Sequence, residues 1–236
     1  MIEIIGDKSS AEYSAAEQLA DVLILLWPDI RKSPREIDDV RIRVNCHLIG
    51  YKVEEIDIVL CARFSQPRSF EPSSLVKVRS GRRVDAGKKI LVDNLVVAIE
   101  VKDHSGKDVR VQGDTVSVYY SRPGAWSDAT DQNRKQVFSL AEYCDDSLGE
   151  KPYVHRCLMM RGVPEIKCAG ALPAEFDGAQ FLTQVAKCSQ VLESQGRFFL
   201  SSLKRQAELN RLLSGRLFRQ VQVSSLDRKR MDRIAG

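Results

Sequence analysis

The sequence predicts an α/β fold with a mixed central sheet flanked by helices, on three observations. First, residues 95–99 are continuously apolar and run into Glu100-Val101-Lys102, as a short buried strand does. Second, Glu55-Ile56-Asp57-Ile58-Val59-Leu60 is a similar run with a single carboxylate inside it. Third, residues 9–26 and 128–144 repeat apolar positions at helical spacing. Taken in chain order, the segments read α-β-β-β-α-β, followed by further helices.

The first helix is expected over 9–26, capped by Ser9 or Ser10, with Ala11, Ala15, Leu19, Val22, Leu23 and Leu26 on one stripe. Trp27-Pro28 ends it. Residues 29–39 are polar and contain Pro34, so they read as a connector. Residues 40–48 alternate apolar and polar side chains, as a half-buried strand does. Gly50 turns the chain into the strand over 53–63 that carries Asp57.

Residues 64–92 read as a long basic loop, with Val76, Val78 and Val84 marking a short hairpin. The central strand follows at 94–102. Valines 109, 111, 116 and 118 alternate around Gly113-Asp114 and mark another hairpin. The second major helix starts near Asp128 or Thr130; Val137, Leu140, Ala141 and Cys144 form its apolar stripe, and Gln132 and Gln136 share a face. Strands are expected at 153–160 and 166–172, and amphipathic helices at 175–193 and 197–213. These divide the chain into a domain over 1–174 and a helical extension with a basic tail over 175–236. The two helices of the extension are candidates for a homodimer or higher homo-oligomer contact.

Composition narrows the class. With 236 residues, 43% hydrophobic and 29% charged, the chain has enough apolar material for a sizeable core. No apolar run reaches the length of a membrane span, and the Met1-Ile2-Glu3-Ile4 start lacks the basic and apolar regions of a signal peptide. Six cysteines without CxxC spacing read as reduced thiols of a cytoplasmic protein, not as a zinc site. The net charge of +4 is unevenly placed: residues 63–89 hold eight Lys/Arg against two acids, and residues 197–233 hold ten against three. Two basic zones on an otherwise acidic body point to a polyanionic partner.

The chemistry follows from three side chains. Glu100 and Lys102, two apart on a strand, share a face. An acid and an amine on a buried strand are costly unless something pairs or uses them. With Asp57 on a neighbouring strand they form the set that metal-dependent phosphodiester hydrolysis requires. Magnesium takes one or two carboxylates plus water and phosphate oxygens, with Mn2+ as a substitute. Asp57, Glu100 and the Val101 backbone carbonyl are the candidate ligands. Lys102 is the candidate for orienting water or neutralising charge, and Gln132 for orienting the lysine. Glu17 on the first helix is a candidate additional carboxylate. His47, His104 and His155 lack metal-ligand spacing.

The stretches Glu55-Ile56-Asp57-Ile58-Val59, Val97-Ala98-Ile99-Glu100-Val101-Lys102-Asp103-His104-Ser105-Gly106 and Asp131-Gln132-Asn133 resemble the PD-(D/E)XK nuclease superfamily. More narrowly they resemble its nuclease-related domain family, usually called NERD. The resemblance spans roughly residues 10–160. Ala16-Glu17 stands where that family often has a glycine–glutamate pair, and the 64–92 loop is longer than usual for the family. The resemblance implies a restriction-endonuclease-like core, with Asp57 and Glu100 as metal ligands and Lys102 and Gln132 in the active site. It also implies a DNA substrate and an ATPase or helicase partner, in some relatives for antiviral defence. Residues 226–230 resemble the lead into such an ATPase module. Lys77, Arg79, Arg82, Arg83, Lys88 and Lys89 would then bind the nucleic-acid backbone. The alternative expectation is a catalytically silent nucleic-acid-binding or assembly scaffold.

Overall fold

The computed structural model describes residues 1–84, 87–149 and 151–202. Its centre is a mixed sheet of eight strands. Six lie in the order β1 (Ile2–Ile5), β2 (Asp38–His47), β3 (Glu55–Phe70), β6 (Ile90–Lys102), β10 (His155–Met160) and β11 (Ala171–Leu172). β2, β3 and β6 form an antiparallel meander, whereas β1 is parallel to β2, and β10 is parallel to both β6 and β11. The other two strands, β12 (Leu192–Ser194) and β13 (Arg197–Phe199), make a hairpin whose second arm runs parallel to the start of β6.

Helices cover both faces. Helix α1 (Ala11–Leu26) joins β1 to β2, and α3 (Gly178–Lys187) packs beside it on the same face, against Ile58, Leu60, Val97 and Ile99. Helix α2 (Ala129–Leu148) joins β6 to β10 on the other face, against Val59, Cys61, Val96 and Ala98. Neighbouring strand residues therefore belong to opposite cores. This is why the central strand is apolar without interruption: a strand covered on both sides has no solvent face to alternate with. Continuing the same alternation along β6, Glu100 and Lys102 fall on the α2 face, where they meet Gln136 and Gln132.

Smaller elements complete the fold. β4 (Val76–Lys77) and β5 (Arg83–Val84) form the hairpin marked by the valines. β7 (Val109–Gln112), β8 (Thr115–Tyr120) and β9 (Ala125–Asp128) form a separate antiparallel sheet between β6 and α2. Its Val116 and Val118 pack with Leu158, Met160 and Ala129. The Thr130 hydroxyl accepts the Val116 amide at 2.8 Å, which ties the first turn of α2 to β8.

The structure departs from expectation in three places. The 64–92 loop is much shorter than expected, because β3 continues past an irregularity between Arg63 and Arg68 to Phe70, and β6 begins at Ile90. The indole of Trp27 donates to the Ser69 carbonyl at 2.9 Å, and Phe70 is buried, so this extension belongs to the core. Residues 197–199 form β13 instead of opening a helix, because they add to the edge that β6 offers before β10 begins. The rest of the expected 197–213 helix and the basic tail lie outside the described residues. Finally, Phe181, Leu182, Val185, Val191 and Leu200 are buried in the same core as α1 and β6. The 174/175 boundary therefore does not separate two cores, and the apolar face of α3 is spent inside the molecule.

All six cysteines are free. Among the described residues, no helix is long and apolar enough to cross a membrane.

Candidate active site

The register between β3 and β6 ends on Ile58 with Ile99, so Asp57 and Glu100 lie one residue beyond the last pair, at the paired ends of the two strands. Asp57 Oδ2 accepts the Val101 amide at 2.7 Å, which locks the carboxylate against the neighbouring strand. Glu100 is 1% exposed and Lys102 is 8% exposed. The Lys102 ammonium forms an ion pair with Glu100 Oε1 and donates to Gln132 Oε1 at 3.4 Å. The structure thus brings together the four side chains expected to act: Asp57, Glu100, Lys102 and Gln132.

Helix α2 supplies the support. Asp128 caps it, accepting the Asp131 amide at 2.8 Å, so Gln132 sits in its first turns facing the end of β6. Asn133 Nδ2 donates to the Ala98 carbonyl at 3.1 Å and fixes the helix to the central strand. Gln136 is wholly buried; its Nε2 donates to Glu100 Oε2 and, at 3.3 Å, to the Glu55 carbonyl. One amide therefore holds the Glu100 carboxylate and anchors it to β3. Sequence reasoning placed Gln136 on the same face as Gln132 without giving it a role. The four-residue spacing after Gln132 was the available signal.

Tyr120 was also missed. The Lys102 ammonium stands 5.9 Å from its ring centroid, and the Tyr120 hydroxyl is among the groups that raise the lysine above its ordinary pKa. Tyr120 shares the inward parity of Val116 and Val118 on β8, which was visible in the sequence. His104 stacks edge-on against the same ring at 4.9 Å.

The electrostatics are those of an acid pair with one cation. Burial, then the negative charge of Glu100, pushes the Asp57 carboxyl up to about 7; the Val101 amide and Lys102 oppose this, and Glu12 adds to it. Burial alone would lower Lys102, but Glu100 and the Tyr120 hydroxyl raise it above its ordinary value. Lys102 therefore stays charged beside an acid pair whose Asp57 keeps its proton up to about pH 7.

The structure places the remaining candidate residues away from the acid pair. Glu17 is exposed, flanked on α1 by Ala15, Ala16 and Leu19, which face the sheet. The helix carboxylate near the site is Glu12, in the first turn of α1, whose charge Asp57 feels. Five residues rotate a helix by about 140° and advance it about 7.5 Å, so the two glutamates cannot substitute for one another. The basic residues also lie elsewhere. Arg82, Arg83, Lys88 and Lys89 line a groove beside Leu91, with Lys77 and Arg79 on the same hairpin segment. Leu91 and Glu100 are nine residues apart on one strand, which is roughly 30 Å. These six residues do not converge on the acid pair.

The donor set suits a hard cation. Two carboxylate oxygens and a backbone carbonyl at a strand end are the oxygen ligands that Mg2+ accepts alongside water and phosphate. A buried acid pair is relieved by a proton or by a metal ion. Among the described residues, no group of three or more His, Cys, Asp and Glu is placed to hold a metal ion, so any ion here would rest on the pair. In comparisons with protein-family models, curated proteins and solved structures, the chain matches none.

Proposed function

We propose that this chain is a Mg2+-dependent DNA endonuclease with a PD-(D/E)XK core of the nuclease-related domain type. The single observation that carries the proposal is the convergence of Asp57, Glu100 and Lys102 at the paired ends of β3 and β6. Support also comes from the order α1, β2, β3, β6, α2, β10, in which three antiparallel strands are followed by a helical crossover to a parallel strand.

In this reading Asp57, Glu100 and the Val101 carbonyl hold Mg2+, for which Mn2+ substitutes. The metal supplies Lewis-acid polarisation of a phosphate oxygen and a more acidic water. Lys102, held by Glu100, Gln132 and Tyr120, points its ammonium where a phosphate oxygen or the attacking water lies, stabilising charge as it develops. Gln132 orients that ammonium. Gln136 keeps Glu100 in one rotamer, so the ligand needs no reorganisation when substrate arrives. Asp57, protonated near neutrality without metal, releases that proton when the ion binds.

The resemblance to nuclease-related domains extends the proposal to a cytoplasmic protein that works with an ATPase or helicase, in antiviral defence. The test is supercoiled plasmid incubated with Mg2+ and the wild-type chain, Asp57→Ala, Glu100→Ala or Lys102→Ala, with and without an ATPase encoded beside this gene. Nicked or linear product is expected from wild type alone, with each variant slower by about 100-fold or more. Equal product from all four proteins in both conditions would refute the proposal.

A further inference from the structure

We infer that the groove at the start of β6 is a binding site for a free, multiply phosphorylated nucleotide. It has a volume of about 780 Å3, within the roughly 300–1,000 Å3 of small-molecule clefts. Arg82, Arg83, Lys88, Lys89 and Arg197 line it, with Glu193 as the one acid among the described lining residues. Leu91 and Phe198 give it an apolar lining. Clustered cations suit phosphates, and an aromatic ring with an aliphatic neighbour suits a planar base.

The groove is held in shape by its own side chains. Glu193 accepts from Arg82 at 2.6 Å and from Ser80 at 3.1 Å, which ties the β12–β13 hairpin to the β4–β5 hairpin. Val78 bridges to Val191 alongside. Gln195 and Gly196, both with positive φ, form a two-residue turn that sets Arg197 and Phe198 on β13. Glu193 is thus committed to structure, and Arg83, Lys89 and Arg197 face the groove with their charge.

Concavity favours a small ligand over a duplex. Binding a duplex by its backbone needs an open basic track, whereas an aromatic ring beside the cations suits an unpaired base. The separation of roughly 30 Å along β6 also prevents one nucleotide from touching both this groove and the acid pair. The inference uses none of Asp57, Glu100 or Lys102, so it stands or falls independently of the nuclease reading.

The test is fluorescence titration of the full chain with N-methylanthraniloyl-ATP at physiological ionic strength. Saturable binding is expected, displaced by ATP and at least tenfold less well by tripolyphosphate. Arg83→Glu combined with Lys89→Glu weakens it at least tenfold; both side chains are exposed, and an unchanged melting curve confirms the fold. Phe198→Leu, which keeps apolar bulk, weakens ATP but not tripolyphosphate. Asp57→Ala leaves binding unchanged. Four results would each overturn the inference: no saturable binding, binding indifferent to the double charge reversal, tripolyphosphate competing as well as ATP, or displacement by a short DNA duplex at lower concentration than by ATP.

Discussion

Asp57→Asn is expected to stabilise the metal-free protein, and to do so most above neutral pH. The carboxyl lies beside Glu100 at the paired ends of β3 and β6 and is pushed from 3.8 up to about 7, first by burial and then by that neighbour. Between those pH values the folded state binds a proton that the unfolded state has released. Stability is therefore greatest below the lower value, falls as pH rises through the window, and levels off above about 7. At about 1.4 kcal/mol per tenfold change, the full effect is about 4 kcal/mol. The substituted amide stays neutral at every pH, keeps an oxygen for the Val101 amide and offers its NH2 to Glu100. Lys102 beside the pair and partial solvent access reduce the recoverable part to about 2 kcal/mol at pH 8. For a chain of this size that is a rise in melting temperature of roughly 4–8 °C. Near pH 4 the difference shrinks towards zero, because the unfolded chain then also holds the Asp57 proton. Thermal melts of both proteins in chelator at pH 4 and pH 8 provide the assay. A substitution effect of the same sign and size at both values would refute the reasoning, since it would show that Asp57 titrates alike in the folded and unfolded chain.

Three further substitutions probe the scaffold. Gln136→Leu removes the buried donor to Glu100 and to the Glu55 carbonyl, and should cost about 1–3 kcal/mol in urea denaturation. Gly162→Ala would set a Cβ 2.4 Å from the His104 carbonyl oxygen, two residues beyond Lys102. Backbone must move, so a loss of about 1–3 kcal/mol is expected by the same measurement. Asp38→Ala leaves the Arg68 guanidinium with Asp29 alone, at 2.5 Å, and should cost about 3 kcal/mol, the low end for breaking a buried pair. A cost below about 0.5 kcal/mol in any of the three would show that its contact is incidental.

Much of this architecture is legible in the sequence where local chemistry and tertiary packing agree. Ser10 does cap α1, accepting the Tyr13 amide, and Asp128 does cap α2, because a short side-chain oxygen ahead of an apolar stripe satisfies free amides wherever the helix packs. The run around Glu100 is legible because only a strand buried on both faces is apolar at every position. What the sequence hid depended on distant partners. β13 is a strand because β6 has an open edge at Ile90 and Leu91, and nothing in Arg197-Phe198-Phe199 announces that edge. Helix periodicity identifies the stripe of α1 but not which end of the helix overhangs the acid pair, so it does not point to Glu12. Charge counting found the basic segment correctly. It could not show that the segment sits at the opposite end of the strand that carries the acids.

The measurement that bears most directly on the central claim is calorimetric titration of the full chain with Mn2+ at pH 8. The pairing of Asp57 with Glu100 predicts saturable binding that Asp57→Ala and Glu100→Ala abolish. It also predicts proton uptake by buffer that grows as pH falls through 7, because the ion must displace the Asp57 proton. Binding that survives in both variants, or a wild-type chain that binds no Mn2+ with or without a DNA duplex, would contradict the account.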